Sequence, residues 1–167
     1  LVYYKEIIIE NIRKAIDLAG SAERLWPHVK SHKTAGMVKL QMEMGIKRFK
    51  CATIAEAEMV ADCGAGDILL AYPLVGPNIQ RFVCLEEKYP QLRFWAIGED
   101  YGQLALLSEE SLKKGITTRV LLDVNMGMNR TGAAIESAEE LYERCAGLEG
   151  ITMRGFHCYD GNHNDPD

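Results

Sequence analysis

The stretch LWPHVKSHKT, residues 25 to 34, sets two lysines and two histidines where a run with strand character ends. A lysine that points inward from a barrel strand is partly desolvated, which lowers its pKa and frees the amine to attack a carbonyl, the basis of Schiff-base chemistry. Lys30 is the first candidate for that role, although a lysine at a strand end can equally extend its ammonium into solvent. Lys33, just beyond in the loop, reads instead as a helix-entry charge or one that faces a phosphate. His28 and His32 flank Lys30. A metal pair is conceivable there, but no carboxylate or cysteine lies close in sequence to complete a zinc site.

Two further stretches carry chemistry. In LLDVNMGMNRTG, residues 121 to 132, Asp123 and Asn125 end a strand, two glycines loosen the turn, and Arg130 follows in the loop. A fixed guanidinium there suits a carboxylate, a phenolate or a phosphate, and a solvated loop arginine is the equal alternative. In GFHCYDGNH, residues 155 to 163, His157 and Tyr159 share one strand face, so an imidazole and a phenol can meet whatever Lys30 holds. A lone histidine is otherwise more often a satisfied core residue. Cys158 points the other way and reads as a small core residue. Asp160, His163, Asp165 and Asp167 read as a polar tail.

The elements that must position these groups alternate along the chain. Strands are expected at about residues 2–4, 25–30, 48–52, 67–73, 93–98, 118–125 and 152–159. Helices lie between them in NIRKAIDLAG, TAGMVKLQMEMG, IAEAEMVADCG, NIQRFVCLEEKYP, SEESLKKG and SAEELYERCAGLEG. Such βα repetition implies a parallel sheet with right-handed crossovers, either open and doubly wound or closed as a (β/α)8 barrel. Parity favours the barrel. In RVLLDVN, Val120, Leu122 and Val124 alternate with Arg119, Leu121, Asp123 and Asn125, so one face is apolar and the other grows polar toward its C-terminal end. A barrel uses that rim as its active site, whereas an open parallel sheet buries both faces. The glycine-rich turn of a dinucleotide-binding sheet is also missing. The fold class is therefore α/β, a TIM-type barrel of which about six or seven βα units are visible. A barrel needs eight strands and about 250 residues, so the 167 residues are expected to be the N-terminal part of a longer protein. Its incomplete edges predict aggregation or dependence on the rest.

Composition excludes several classes. A net charge of -5 and a pI near 5.4 give no clustered basic surface for nucleic acid or anionic membrane. Five cysteines form no CxxC pair and are odd in number, which argues against a zinc ribbon or a disulfide framework and fits a reducing cytoplasm. No export leader and no membrane-spanning apolar run is expected. A small-molecule partner is favoured.

Together PHVKSHKT, CATIAEAEMVADCGAGDILLAYPLVG, DVNMGMNRTG and GFHCYDGNH resemble the fold-type III pyridoxal phosphate (PLP) enzymes, the alanine racemase-like barrels, and within them the D-threonine aldolase and D-serine dehydratase branch. The resemblance covers essentially the whole chain. It implies that Lys30, the lysine of the family's PHxKxHK pattern, forms the Schiff base with PLP. It implies that Arg130 lies near the cofactor's phenolic oxygen or the substrate carboxylate, that His157 lies against the pyridine ring, and that Tyr159 is a cofactor-site tyrosine. The family usually has arginine where this chain has Trp26. The implied activity is a lyase acting on small D-β-hydroxy amino acids, by aldol cleavage or by dehydration, with alanine racemisation or a non-catalytic PLP-binding barrel as alternatives. A C-terminal β domain, a divalent metal held there and a homodimer are implied as well.

Overall fold

The structure, a computed structural model, describes residues 2–162. The alternating pattern becomes α1 (Lys5–Ala19), α2 (Ala35–Glu43), β1 (Arg48–Cys51), α3 (Ile54–Asp62), β2 (Asp67–Leu70), α4 (Pro77–Lys88), β3 (Arg93–Gly98), α5 (Tyr101–Lys113), β4 (Thr118–Asn125), α6 (Ile135–Ala146) and β5 (Ile151–Tyr159). The five strands are parallel and stand in chain order, β1 to β5. An order that never turns back, with right-handed crossovers, lays every helix on one face, which makes the sheet a segment of barrel wall. A doubly wound sheet would reverse its order at a switch point.

Helix starts follow local chemistry. The Thr53 hydroxyl accepts from the Glu56 amide at 3.2 Å to open α3, and the Asp100 carboxylate accepts from the Gln103 amide at 2.9 Å to open α5. Pro77 stands in the first turn of α4, where its missing N–H costs nothing. The helices cover one side of the sheet with Val60, Phe82, Leu104 and Leu107 against Phe49, Ile68, Phe94, Ala96 and Val120, all fully buried or nearly so.

The other face is polar from its base. The Asp67 carboxylate accepts from Arg93 Nε at 2.7 Å, Arg93 Nη2 at 2.6 Å and Trp95 Nε1 at 2.9 Å. Those bonds hold it ionised below the usual carboxylate range, against a burial penalty that acts upward. Trp26 packs edge-on against Trp95 at 6.1 Å and carries the Arg48 guanidinium over its ring at 5.6 Å. At the position where the resemblance expects arginine, the indole thus fills the base of this face and a neighbouring strand supplies a guanidinium.

Several expected elements differ, among them the helix expected from Asn11, which begins at Lys5, and the strand expected at 67–73, which ends at Leu70. No strand forms at residues 2–4; Val2, Tyr3 and Tyr4 are exposed, and α1 starts at once because Ile8, Ile12 and Ile16 recur at helical spacing toward the core. The strand expected at 25–30 is reduced to one parallel bridge, His28 to Lys50, with the Lys50 amide donating to the Pro27 carbonyl at 2.9 Å. Pro27 has no donor to extend it, and the His28 ring accepts from the Lys30 amide at 3.3 Å, turning Val29–Ser31 into a 3-10 turn. Helix α5 begins seven residues before SEESLKKG, at its Asp100 cap.

One irregularity decides which side chains of β5 reach the inner face. Val120 pairs with Met153 but Leu122 pairs with Phe156, so β5 carries an extra residue at a bulge, where Gly155 adopts φ +128°. Beyond the bulge Asp123 stands beside His157 and Asn125 beside Tyr159. Without it, Phe156 would stand beside Asp123 and the histidine would turn to the other face. Gly155→Ala should lower stability by about 1–3 kcal/mol, read from thermal unfolding, because a side chain is strained at that φ whatever the space around it. An unchanged midpoint would mean that the bulge does not need glycine.

Candidate active site

At the C-terminal ends of the strands an open cavity of about 180 Å³ is bordered by His28, Lys30, Lys50, Arg130, His157 and Tyr159. A larger groove of about 310 Å³ between α1 and α2 is mostly apolar and gathers no comparable set.

Lys30 reaches the cavity from the 3-10 turn rather than from a strand, and it is exposed at the mouth. The desolvation expected of it falls instead on Lys50, the third residue of β1. Burial holds the Lys50 ammonium below the usual lysine pKa, with the Lys30 charge acting the same way and the Asp123 carboxylate acting against both. The turn that carries Lys30 is pinned at its far end. Lys33 takes a left-handed conformation, φ +48°, with its amide donating to the Val29 carbonyl at 2.8 Å. Lys33 Nζ lies 3.3 Å from Glu56 Oε1, an ion-pair contact with a carboxylate only 5% exposed, while Glu56 Oε2 accepts from the Ala52 amide at 2.8 Å. Lys33 is thus the loop's anchor to the start of α3.

The Arg130 loop is clipped to its own strand. The Asn125 amide donates to the Ala133 carbonyl at 2.9 Å, and the Ala133 amide to the Asp123 carbonyl at 2.8 Å. The Asn125 side-chain oxygen accepts from the Gly127 and Asn129 amides at 3.0 and 3.1 Å. Gly132 closes the loop at φ +103°, where an added Cβ would stand 2.4 Å from the Asn125 nitrogen, and its amide donates to Glu99. That approach explains the glycine after Arg130 and Thr131. Arg130 itself lies over the Tyr159 ring at 5.2 Å.

His157 is the centre of a three-group chain. Its Nδ1 is 2.6 Å from Asp123 Oδ1, and its Nε2 is 2.9 Å from Lys50 Nζ. Asp123 and His157 are nearly buried, at 3% and 11% side-chain exposure. His28, at the same rim, is pushed down to about 4 by burial and by the Lys30 and Lys50 charges, so it faces the cavity as a neutral ring at neutral pH.

A family model described as the alanine racemase N-terminal domain matches residues 5–167. The chain belongs to this family. It is the family of the fold-type III PLP barrels that the motifs resemble. No curated protein sequence matches. Among solved structures, D-threonine aldolase from Filomicrobium marinum is similar at 30% identity and TM-score 0.86, covering 94% of this chain and 42% of that one. A D-threo-3-hydroxyaspartate dehydratase variant shares the fold at 18% identity and TM-score 0.76, over 95% of this chain and 40% of that one. The alanine racemase of Clostridium difficile 630 does so at 15% and 0.71, over 89% of this chain and 42% of that one. The chain thus spans about two fifths of the length of these relatives.

Of the residues singled out in the sequence of this alanine racemase N-terminal domain, Lys30, Arg130, His157 and Tyr159 border one cavity. Asp123 and Asn125 support it from β4. His32 does not border the cavity, and its Nδ1 accepts from the Thr34 amide at 3.1 Å. Cys158 is exposed, not core, because no described element covers β5 beside it. Asp160 is exposed, and His163, Asp165 and Asp167 lie outside the described residues. Among the described residues no group of three His, Cys, Asp or Glu could hold a metal ion, and no helix is long and apolar enough to cross a membrane. Lys50 and Glu56 were not singled out. The signal for Lys50 was parity, since Lys50 alternates with Phe49 and Cys51, which are fully buried under the helices.

Lys33→Met should leave the buried Glu56 carboxylate without its cation, at a cost of about 1–3 kcal/mol in chemical unfolding. It should also make the Lys30 turn more open to proteolysis. Wild-type stability and cleavage would show that the ion pair does not hold the turn.

Proposed function

We propose that the protein is a PLP-dependent lyase that cleaves or dehydrates small D-β-hydroxy amino acids. The observation that carries this reading is the convergence of Lys30, Arg130 and His157 on one cavity at the strand ends. The lining suits the cofactor by its charge. Two ammonium groups and a guanidinium border the cavity, and the carboxylate beside it, Asp123, is engaged with His157. A surplus of positive charge favours an anionic aldehyde. Lys30 Nζ has no hydrogen bond or ion pair among the described residues, which leaves it as the amine free to condense with a carbonyl.

Lys30 would hold the cofactor through its amine, His157 would lie against its ring, and Arg130, braced on Tyr159, would take its phenolic oxygen or the substrate carboxylate. When bound, PLP supplies an electron sink for the charge that develops at the substrate Cα. The chain's own residues do the rest. Arg130 orients the carboxylate, neutral His28 presents no competing charge beside Lys30, and a free Lys30 amine at the rim is a base within the cavity. Identity of 30% with the D-threonine aldolase, against 15% with the alanine racemase, supports a lyase over a racemase. On this reading a divalent metal, where one is used, is held by a C-terminal domain, and the full protein is a cytoplasmic homodimer.

Full-length protein saturated with PLP should release glycine and acetaldehyde from D-threonine, or pyruvate and ammonia from D-serine. Lys30→Ala should lose both that turnover and the long-wavelength absorbance of the lysine-linked cofactor. If the variant keeps the band and the turnover, Lys30 is not the residue that carries the cofactor.

A further inference from the structure

We propose that Lys50 is a positioning residue of this cavity, which fixes the tautomer, the ring plane and the charge of His157. An ammonium has donors and no lone pair, so the His157 Nε2 that faces Lys50 Nζ at 2.9 Å must be the unprotonated, accepting nitrogen. The ring proton then sits on Nδ1 and is donated to Asp123 Oδ1 at 2.6 Å. Both ring nitrogens are satisfied, so rotation or flipping of the ring would break one charge-assisted bond or both.

The shared proton between Nζ and Nε2 stays on the lysine. Free lysine is more basic than imidazole by about 4 pK units; burial and the Lys30 charge lower the Lys50 pKa from its ordinary value, and the Asp123 charge acts against them. The chain Asp123–His157–Lys50 is therefore carboxylate, neutral imidazole and ammonium, with no net charge. The second Asp123 oxygen, Oδ2, is buried without a hydrogen-bond partner, so the carboxylate depends on this one chain for compensation. Removing the ammonium would leave Nε2 free to take a proton while Nδ1–H stays on Asp123, and the ring would then present a positive charge to the cavity.

The consequence for ligand binding rests on the reading of the cavity as a cofactor site; the tautomer does not. Histidine-selective ¹⁵N NMR of the full-length protein without PLP should show His157 with Nδ1 protonated and Nε2 bare. Lys50→Arg should keep that pattern, because it keeps a donor. Lys50→Met should protonate Nε2 and, on adding PLP, move its absorbance maximum, because the charge beside the ring then sits on His157 instead of Lys50. A protonated Nε2 in the wild type, or a Lys50→Met form that keeps Nε2 bare and binds PLP with the wild-type spectrum, would overturn the assignment. Loss of PLP binding by every form, with the tautomer as expected, would count against the cofactor reading and leave the role of Lys50 standing.

Discussion

Parallel strands laid side by side in chain order end at the same rim, and every inward position of the last pleat faces the same space. That constraint gathers residues far apart in sequence without any long loop to carry them. Lys50 and His157 are 107 positions apart and meet within hydrogen-bond distance because β1 and β5 belong to one curved wall. The helices on the outer face make this affordable in stability: their apolar contacts with Phe49, Ile68, Phe94 and Val120 form the core, so the inner face is free to carry charge.

Charge on that face is handled in layers. At the base, Asp67 is compensated by Arg93 and Arg48 and capped by the Trp26 and Trp95 pair. At the rim, Asp123 is compensated by His157 and Lys50. Each buried carboxylate thus has a cation within reach, as burial requires. Among the described residues Lys30 and Arg130 at the mouth have no ion pair, and their charge is what an anionic ligand would meet.

Much of this was legible in the sequence, and the misses have physical causes. Four of the site residues sit in motifs with glycine, proline or polar neighbours that mark strand ends, and strand parity placed His157 and Tyr159 together. Parity survived only because both lie beyond the Gly155 bulge; the pairing of His157 with Asp123 depends on that bulge, which no alternation rule reveals. Lys50 sits in a four-residue strand, RFKC, whose alternation of charged and apolar residues resembles a solvent-facing edge. Its meaning comes from a histidine on a strand four places away in the sheet. The strand expected around Lys30 was shortened because a histidine side chain captured the Lys30 amide, a local competition that apolar patterning does not register.

The central claim is that the amine at Lys30 is the point of covalent attachment in a cavity it shares with Lys50. Borohydride reduction of the full-length protein with PLP, followed by peptide mass mapping, distinguishes the two lysines directly. The account predicts the phosphopyridoxyl mass on the peptide containing Lys30, with Lys50 unmodified. The mass on Lys50, or on lysines remote from the strand ends, would contradict it.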